Sequence, residues 1–286
     1  MTEIKPAKTA VLRVGKIRYT NSLPFYYRLT EDSAESYRLS FLEGAPAEIN
    51  LAMQQSKIDI GPVSSLEYLN HQKDYLLLPG LAIGSRDFSG SVLLFSREKI
   101  EGLDKKEIAL SRESLSSAAL LRILLKSKYK FENSFTTVDS NPRQMLAQYP
   151  AALVIGNDAL FHQSDEFVYK YDLSELWWNW TEKPFCFALW AVRRDFASRH
   201  PKEVASFIRL LKTNLLRNLE DIEKLLKEAL KISFTDKDFS KIFGYLFNLS
   251  YGLDPSMHEG LELFYRMAHR LGISPKPEKL EFFEGD

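Results

Sequence analysis

Five short stretches of the chain are rich in small hydroxyl and amide side chains: Tyr19-Thr20-Asn21-Ser22, Val63-Ser64-Ser65, Ser89-Gly90-Ser91, Ser114-Leu115-Ser116-Ser117 and Gly156-Asn157-Asp158. Residues of these types hold anions with neutral donors. A serine hydroxyl donates one hydrogen bond, and an asparagine amide both donates and accepts. Ser65 and Ser114–Ser117 fall where helices are predicted to begin. Unpaired backbone N–H groups and the helix dipole favour a carboxylate there. Each stretch alone has a plainer role, since a serine before a helix commonly acts as an N-cap. Five of them, each after a predicted strand, point to a shared site.

Other chemistries find less support. His71, His162, His200, His258 and His269 show no HExxH-like spacing, so no metal site is predicted. There is no GxxxxGK, GxGxxG or GxSxG motif. Cys186 lies in PFCFALW and reads as a buried small hydrophobe. Trp177, Trp178 and Trp180 read as aromatic packing between lobes, and Glu48 as a surface or capping carboxylate.

The elements that must position these loops follow from hydrophobic periodicity. Strands are predicted at Val11–Val14, Leu39–Glu43, Ile58–Val63, Leu76–Ile83 and Val92–Phe95, with a helix over Gly44–Ser56. The pattern restarts with strands at Ile108–Leu110, Thr136–Val138, Leu153–Ile155 and Phe185–Val192, and a helix over Leu115–Lys126. Helices His200–Asn218, Leu219–Ile232, Phe239–Leu249 and Ser256–Leu271 follow, and the tail after Pro275 reads as a loosely packed extension. Alternating strands and helices predict α/β lobes with largely parallel sheets. The expected division is a discontinuous first lobe, 1–95 and 190–286, carrying the carboxy-terminal helices, and a second lobe, 96–189. The crossings fall near Phe95 and Ala188. Ligands in such folds sit beyond the carboxyl ends of the strands, in a cleft lined by the loops above.

Composition narrows the function. The 286 residues suit two medium lobes. The 38 Lys and Arg balance the 38 Asp and Glu, which argues against nucleic acid or an anionic membrane as partner. One cysteine excludes an intrachain disulfide. The first 22 residues hold no apolar run of signal-peptide length, and no later stretch approaches the ~20 apolar residues of a membrane span. A cytoplasmic protein is expected. Oligomeric state is not legible.

Several strings together resemble the chorismate dehydratase family of the futalosine route to menaquinone. They are LRVGKIRYTNSLPFYY, GAPAEINLAMQQSKIDIGPVSSLEYL, LLPGLAIGS, SVLLFS, ALSRESLSSAALLRILL, ALVIGNDAL and DLSELWWNWTEKPFCFALWAVRRDF. They run in family order across roughly residues 11–196. The chain departs from the family's usual pattern at Asp87-Phe88-Ser89-Gly90, at Asn157-Asp158 and at Ser116, where a threonine is usual. The resemblance implies a type 2 periplasmic-binding-protein-like fold, with a cleft between its lobes, used as a lyase. It implies dehydration of chorismate to 3-[(1-carboxyvinyl)oxy]benzoate, with no metal or organic cofactor and with a small-molecule substrate as the partner.

On that reading Asn21 and Ser91 are the catalytic candidates. Ser22, Ser64, Ser65, Ser114, Ser116, Ser117, Asn157 and Asp158 are candidates for binding substrate. The base stays open between the substrate's enolpyruvyl carboxylate and a protein carboxylate such as Asp158. Two other functions fit the same fold. One is a carboxylate-binding protein without catalysis, since fold does not fix function. The other is the related dihydroxynaphthoate synthase, whose amino-terminal loop is built around serine, proline, cysteine and asparagine. Thr20-Asn21-Ser22-Leu23-Pro24 fits the dehydratase pattern better.

Overall fold

A computed structural model of the chain describes residues 10–139, 141–162, 169–230 and 236–285. It contains two mixed sheets. The strands are β1 (Ala10–Ile17), β2 (Tyr37–Gly44), β3 (Ile60–Ser64), β4 (Tyr75–Ser85), β5 (Val92–Ser96), β6 (Glu107–Ser111), β7 (Ser134–Val138), β8 (Ala151–Ile155), β9 (Tyr169–Asp172), β10 (Phe185–Arg193) and β11 (Leu249–Ser250). The first sheet has the order β11-β4-β10-β3-β1-β2 and the second β7-β6-β8-β5-β9.

Every residue of β3 and β8 is buried, as expected of strands covered on both faces. The sheets are less parallel than the alternating pattern predicts. β1 runs parallel to β2 and β3, and β6 parallel to β7 and β8. However, β10 is antiparallel to β3 and β4, and β5 is antiparallel to β8 and β9. β5 and β10 are the first strands laid down after the chain changes sheet. Such a strand enters from outside and is not bound to the direction that a βαβ crossover imposes.

The chain leaves the first sheet after Ser85 and enters the second at Val92; it returns between the helix Leu173–Thr181 and Phe185. Both passages lie ahead of the positions expected at Phe95 and Ala188. β5 therefore sits wholly in the second sheet and β10 wholly in the first. Hydrophobic content marks these strands as buried but carries no information on which sheet they join.

The carboxy-terminal helices are Pro201–Glu220, Ile222–Leu230, Asp236–Asn248 and Pro255–Arg270. Residues 231 and 232 of the expected second helix lie outside the described residues, as do the first nine residues on which the reading of the amino terminus rested. The tail beyond Pro275 is docked, not loose. Leu77 N–H donates to Glu281 O (2.9 Å), Phe283 N–H donates to Leu77 O (2.8 Å), and Leu280 and Phe283 are buried. The tail covers the start of β4 at the sheet edge, where open backbone groups would otherwise remain.

The cores of the two halves join. One apolar cluster runs from Ile17 and Val63 through Leu110, Leu120 and Trp177 to Phe185 and Phe264. Trp177 meets Phe185 edge-on at 5.8 Å, and Phe185 meets Phe264 at 4.9 Å. Cys186 is buried in this cluster, and burial pushes its thiol well above its ordinary value.

Candidate functional site

The amino-terminal loop is built around a short 3₁₀ turn, Thr20–Ser22, followed by a helical turn, Leu23–Tyr26. Ser22 is buried and its hydroxyl lies 2.5 Å from Ile17 O and 2.8 Å from Tyr19 O, so it closes the turn on itself. The long helix Pro201–Glu220 fixes the loop from behind. The Asn214 amide donates to Phe25 O and Tyr27 O, both at 2.8 Å, and the Asn218 amide donates to Pro24 O and Tyr27 O, both at 2.9 Å. These four bonds satisfy carbonyls that the short helical turn leaves open. Asn21 is thereby held at the cleft, and its Oδ1 is shielded from solvent with no hydrogen-bond partner among the described residues. An orphaned acceptor of this kind costs stability, and its retention requires a reason.

The second loop caps the helix Ser65–Asn70. The Ser64 Oγ accepts from Glu67 N–H (3.2 Å) and from the Asn50 amide (3.2 Å), while Ser64 N–H donates to Asn50 Oδ1 (3.1 Å). Two incoming donors leave the Ser64 proton free to point elsewhere. Ser65 is fully buried, and its hydroxyl lies 2.8 Å from Cys186 O and 3.1 Å from Ser116 Oγ. Ser116 Oγ also accepts from Leu66 N–H at 2.9 Å. Ser65 thus anchors Ser116, and through it ties the start of the helix Leu115–Ile123 to the first half of the molecule. Ser114 donates to Ser111 O at 2.6 Å, closing the turn before that helix.

The third loop depends on an aspartate remote in sequence. Asp172 is buried at the end of β9. One carboxylate oxygen accepts from Ser89 N–H (3.1 Å), Ser89 Oγ (2.9 Å) and Gly90 N–H (2.7 Å); the other accepts from Ser174 N–H (2.8 Å) and Glu175 N–H (3.4 Å). Burial pushes the Asp172 carboxyl above its ordinary value, and these bonds oppose that shift. Gly90 has φ +70°, which a side chain would strain, and the turn delivers Ser91 to the cleft.

The result is one cavity between the two sheets, lined by Asn21, Ser64, Ser91, Ser114, Ser116 and Ser117 on apolar walls that include Ile17, Pro46 and Phe187. The free space within it is about 70 Å³, so the two sheets approach each other closely across a narrow cleft. The first turn of the helix Leu115–Ile123 faces it, so free N–H groups add to the serine hydroxyls.

Of the other sequence candidates, Ser22 and Ser65 are spent on structural bonds and do not line the cavity. Asn157 lies outside the lining, where its Oδ1 accepts from Thr20 N–H at 3.2 Å and bridges the two halves. Asp158 is exposed and outside the lining. The fifth loop enters through Gly156 instead, whose φ of +66° and close approach to the Tyr19 ring leave no room for a Cβ.

The carboxylate that does line the cavity is Glu113, which sequence reasoning passed over although it directly precedes Ser114. Tyr19 Oη donates to it across the cleft, and Arg18 lies 3.8 Å away at the rim, where it also approaches Glu48 at 3.5 Å. Burial pushes the Glu113 carboxyl above its ordinary value; Arg18 opposes the shift, and Asp158 and Asp139 add to it. Glu48 meanwhile accepts from Ala45 N–H at 2.6 Å, as a capping carboxylate does. Among the described residues no group of three or more His, Cys, Asp or Glu side chains is placed to hold a metal ion, and no helix is long and apolar enough to cross a membrane.

Comparison with known proteins adds the following. Residues 12–270 match a family described as menaquinone biosynthesis. The chain is 28% identical to the chorismate dehydratase of Thermus thermophilus, over 92% of this chain and 96% of that protein. Among solved structures it resembles protein AF1704 of Archaeoglobus fulgidus (TM-score 0.72, 21% identity, 92% and 98% of the two chains). It also resembles the ligand-binding component of an ABC-type import system of Staphylococcus aureus (TM-score 0.69, 12% identity, 96% and 97%). Likeness at these identities establishes the fold, which is of the periplasmic-binding-protein type.

Proposed function

The chain belongs to the menaquinone-biosynthesis family, and from that premise we propose that it is a lyase dehydrating chorismate to 3-[(1-carboxyvinyl)oxy]benzoate in the cleft between its two halves. One observation carries the reading beyond family membership. Small neutral donors from both sheets line one cavity together with Asn21, whose Oδ1 has no hydrogen-bond partner among the described residues. Such a cleft suits a dicarboxylate that also carries a hydroxyl. The 28% identity to a chorismate dehydratase, over nearly all of both chains, supports the same reaction.

Chorismate needs little chemical force. Loss of the C3 proton and the C4 hydroxyl makes its ring aromatic, so the protein's task is to position groups and to assist departure. In the proposed step the substrate's enolpyruvyl carboxylate takes the C3 proton. The C–H electron pair becomes a ring double bond. The C4–O bond breaks with its pair on oxygen, and the proton count balances when the C3 proton ends on the water released. Asn21 is assigned to the C4 hydroxyl, with its partnerless Oδ1 as acceptor and its amide as donor. Ser91 is assigned to the departing oxygen. Ser64, Ser116 and Ser117 are assigned to the carboxylates, aided by the helix start at Leu115, while Ser114, whose hydroxyl and N–H are both bonded to Ser111 O, shapes the turn that presents them. Asp158 is less well placed for the base than the sequence suggested, because it is exposed; Glu113 is the protein carboxylate within reach of the cavity. The two sheets are assigned to the two lobes, with the passages at 86–91 and 182–184. A cytosolic setting belongs to the same proposal, and cell fractionation tests it.

Incubation with chorismate, followed by mass spectrometry, tests the function. Loss of one water with product absorbance of an aromatic ether is expected. Binding of chorismate without turnover would favour a carboxylate-binding protein instead.

A further inference from the structure

The cavity wall at Ser91 is backed by a residue that no loop motif reveals. Tyr245 lies on the helix Asp236–Asn248, and its hydroxyl donates to Ser91 Oγ at 3.0 Å. The residue is buried, and burial holds its phenol proton far more tightly than in water. Its ring packs on the turn that presents Ser91, with Cδ2 only 3.6 Å from where a Cβ on Gly90 would stand. Asp172 holds the same turn from the other side, through Ser89 and Gly90.

The direction of the bond follows from counting protons. Tyr245 has one hydroxyl proton, and Ser91 Oγ is the acceptor placed to receive it. Ser91 has one proton of its own. With an acceptor site already filled from behind, that proton is directed away from Tyr245, and Ser91 lines the cavity. The surroundings are apolar enough that the neighbouring Tyr251 hydroxyl is buried without a partner among the described residues. A hydrogen bond in such a setting is stronger than in water, and it polarises the next one in the chain.

We propose that Tyr245 is a positioning residue for the dehydration: its hydroxyl fixes Ser91 as a one-way donor into the cleft, aimed at the oxygen that leaves. The proposal rests on the dehydratase reading above. It also constrains Ser91, which in this arrangement serves as a donor and not as the base.

The test is Tyr245→Phe, Ser91→Ala and the double variant, assayed with chorismate for kcat and KM, with thermal unfolding on the same samples. Tyr245→Phe keeps the ring and removes the donor. Its kcat is expected to fall about tenfold, the rate equivalent of one ordinary hydrogen bond, while KM stays within about twofold because the lost aid is specific to the transition state. In the Ser91→Ala background the second substitution is expected to cost nothing more, since its target is gone. A wild-type kcat in Tyr245→Phe, a rise in KM alone, or an equal further loss in the Ser91→Ala background would overturn the role. If Tyr245→Phe does not fold, Tyr245→Met fills similar volume without a donor, and the same outcomes apply. A folded wild type inactive on chorismate would overturn the dehydratase reading and this role with it. An active wild type alongside an unaffected Tyr245→Phe would overturn this role only.

Discussion

Replacing Asn21 by alanine should separate activity from stability in an unusual direction. Most polar-to-alanine changes in an ordered loop lose a hydrogen bond and with it about 1 kcal/mol. Asn21 has no such bond to lose at its oxygen, because Oδ1 is shielded and has no partner among the described residues. An unsatisfied buried acceptor costs about 1–3 kcal/mol, so its removal should leave stability unchanged or raise it by up to about 1 kcal/mol. The loop backbone does not rely on the Asn21 side chain, since Asn214, Asn218 and Ser22 hold it. Turnover should behave in the opposite way. Removing a preorganised polar group where charge develops costs about 10²–10³ in kcat. The assay pairs thermal unfolding with chorismate turnover on one preparation. If Asn21→Ala melts well below wild type while the folded fraction turns over normally, Asn21 is a turn residue, and the argument from its orphaned oxygen is wrong.

Two further outcomes follow from the same geometry. Glu113 has a raised carboxyl pKa, chiefly through burial, so its neutral form is favoured in the folded state. Its contribution to stability is fully present below the ordinary glutamate value of 4.5 and is lost as pH rises through the higher folded value; the unfolding free energy of wild type relative to Glu113→Gln should therefore decline with pH above 4.5, and a flat or rising difference would refute this. Gly156→Ala should destabilise by about 1–3 kcal/mol in denaturant unfolding, because φ is +66° and the new Cβ would stand 2.6 Å from the Tyr19 ring. An unchanged midpoint would mean that the turn and ring yield easily.

The loops at Asn21, Ser64, Ser91 and Ser114–Ser117 were legible because small polar residues directly after apolar strands of an α/β chain fall at the strand ends, where ligands sit. The use of each hydroxyl was not. Ser22 and Ser65 belong to the same residue class as their neighbours, yet they spend their protons on Ile17, Tyr19 and Cys186 carbonyls brought near only by folding. Tyr245 and Asp172 act on Ser91 and its turn from 154 and 82–83 positions away, a separation that local pattern cannot bridge. Tyr245 also sits on a helix rich in aromatic residues, where a phenol looks like packing. Glu113 is different, because an acid between a strand end and a serine-rich helix start could have been singled out. Strand direction was lost for a general reason. Apolar periodicity measures burial, and a strand buried on both faces reads alike whichever way it runs, so β5 and β10 gave no hint of their antiparallel pairing.

The central claim is that the cleft removes water from chorismate. The most direct measurement is mass spectrometry of chorismate incubated with purified protein, with Asn21→Ala and Ser91→Ala as parallel samples. The account predicts stoichiometric conversion to a product lighter by one water with wild type, and at least about a hundredfold slower conversion with Asn21→Ala. Chorismate recovered intact from folded wild-type protein, or conversion at the same rate by all three proteins, would contradict it.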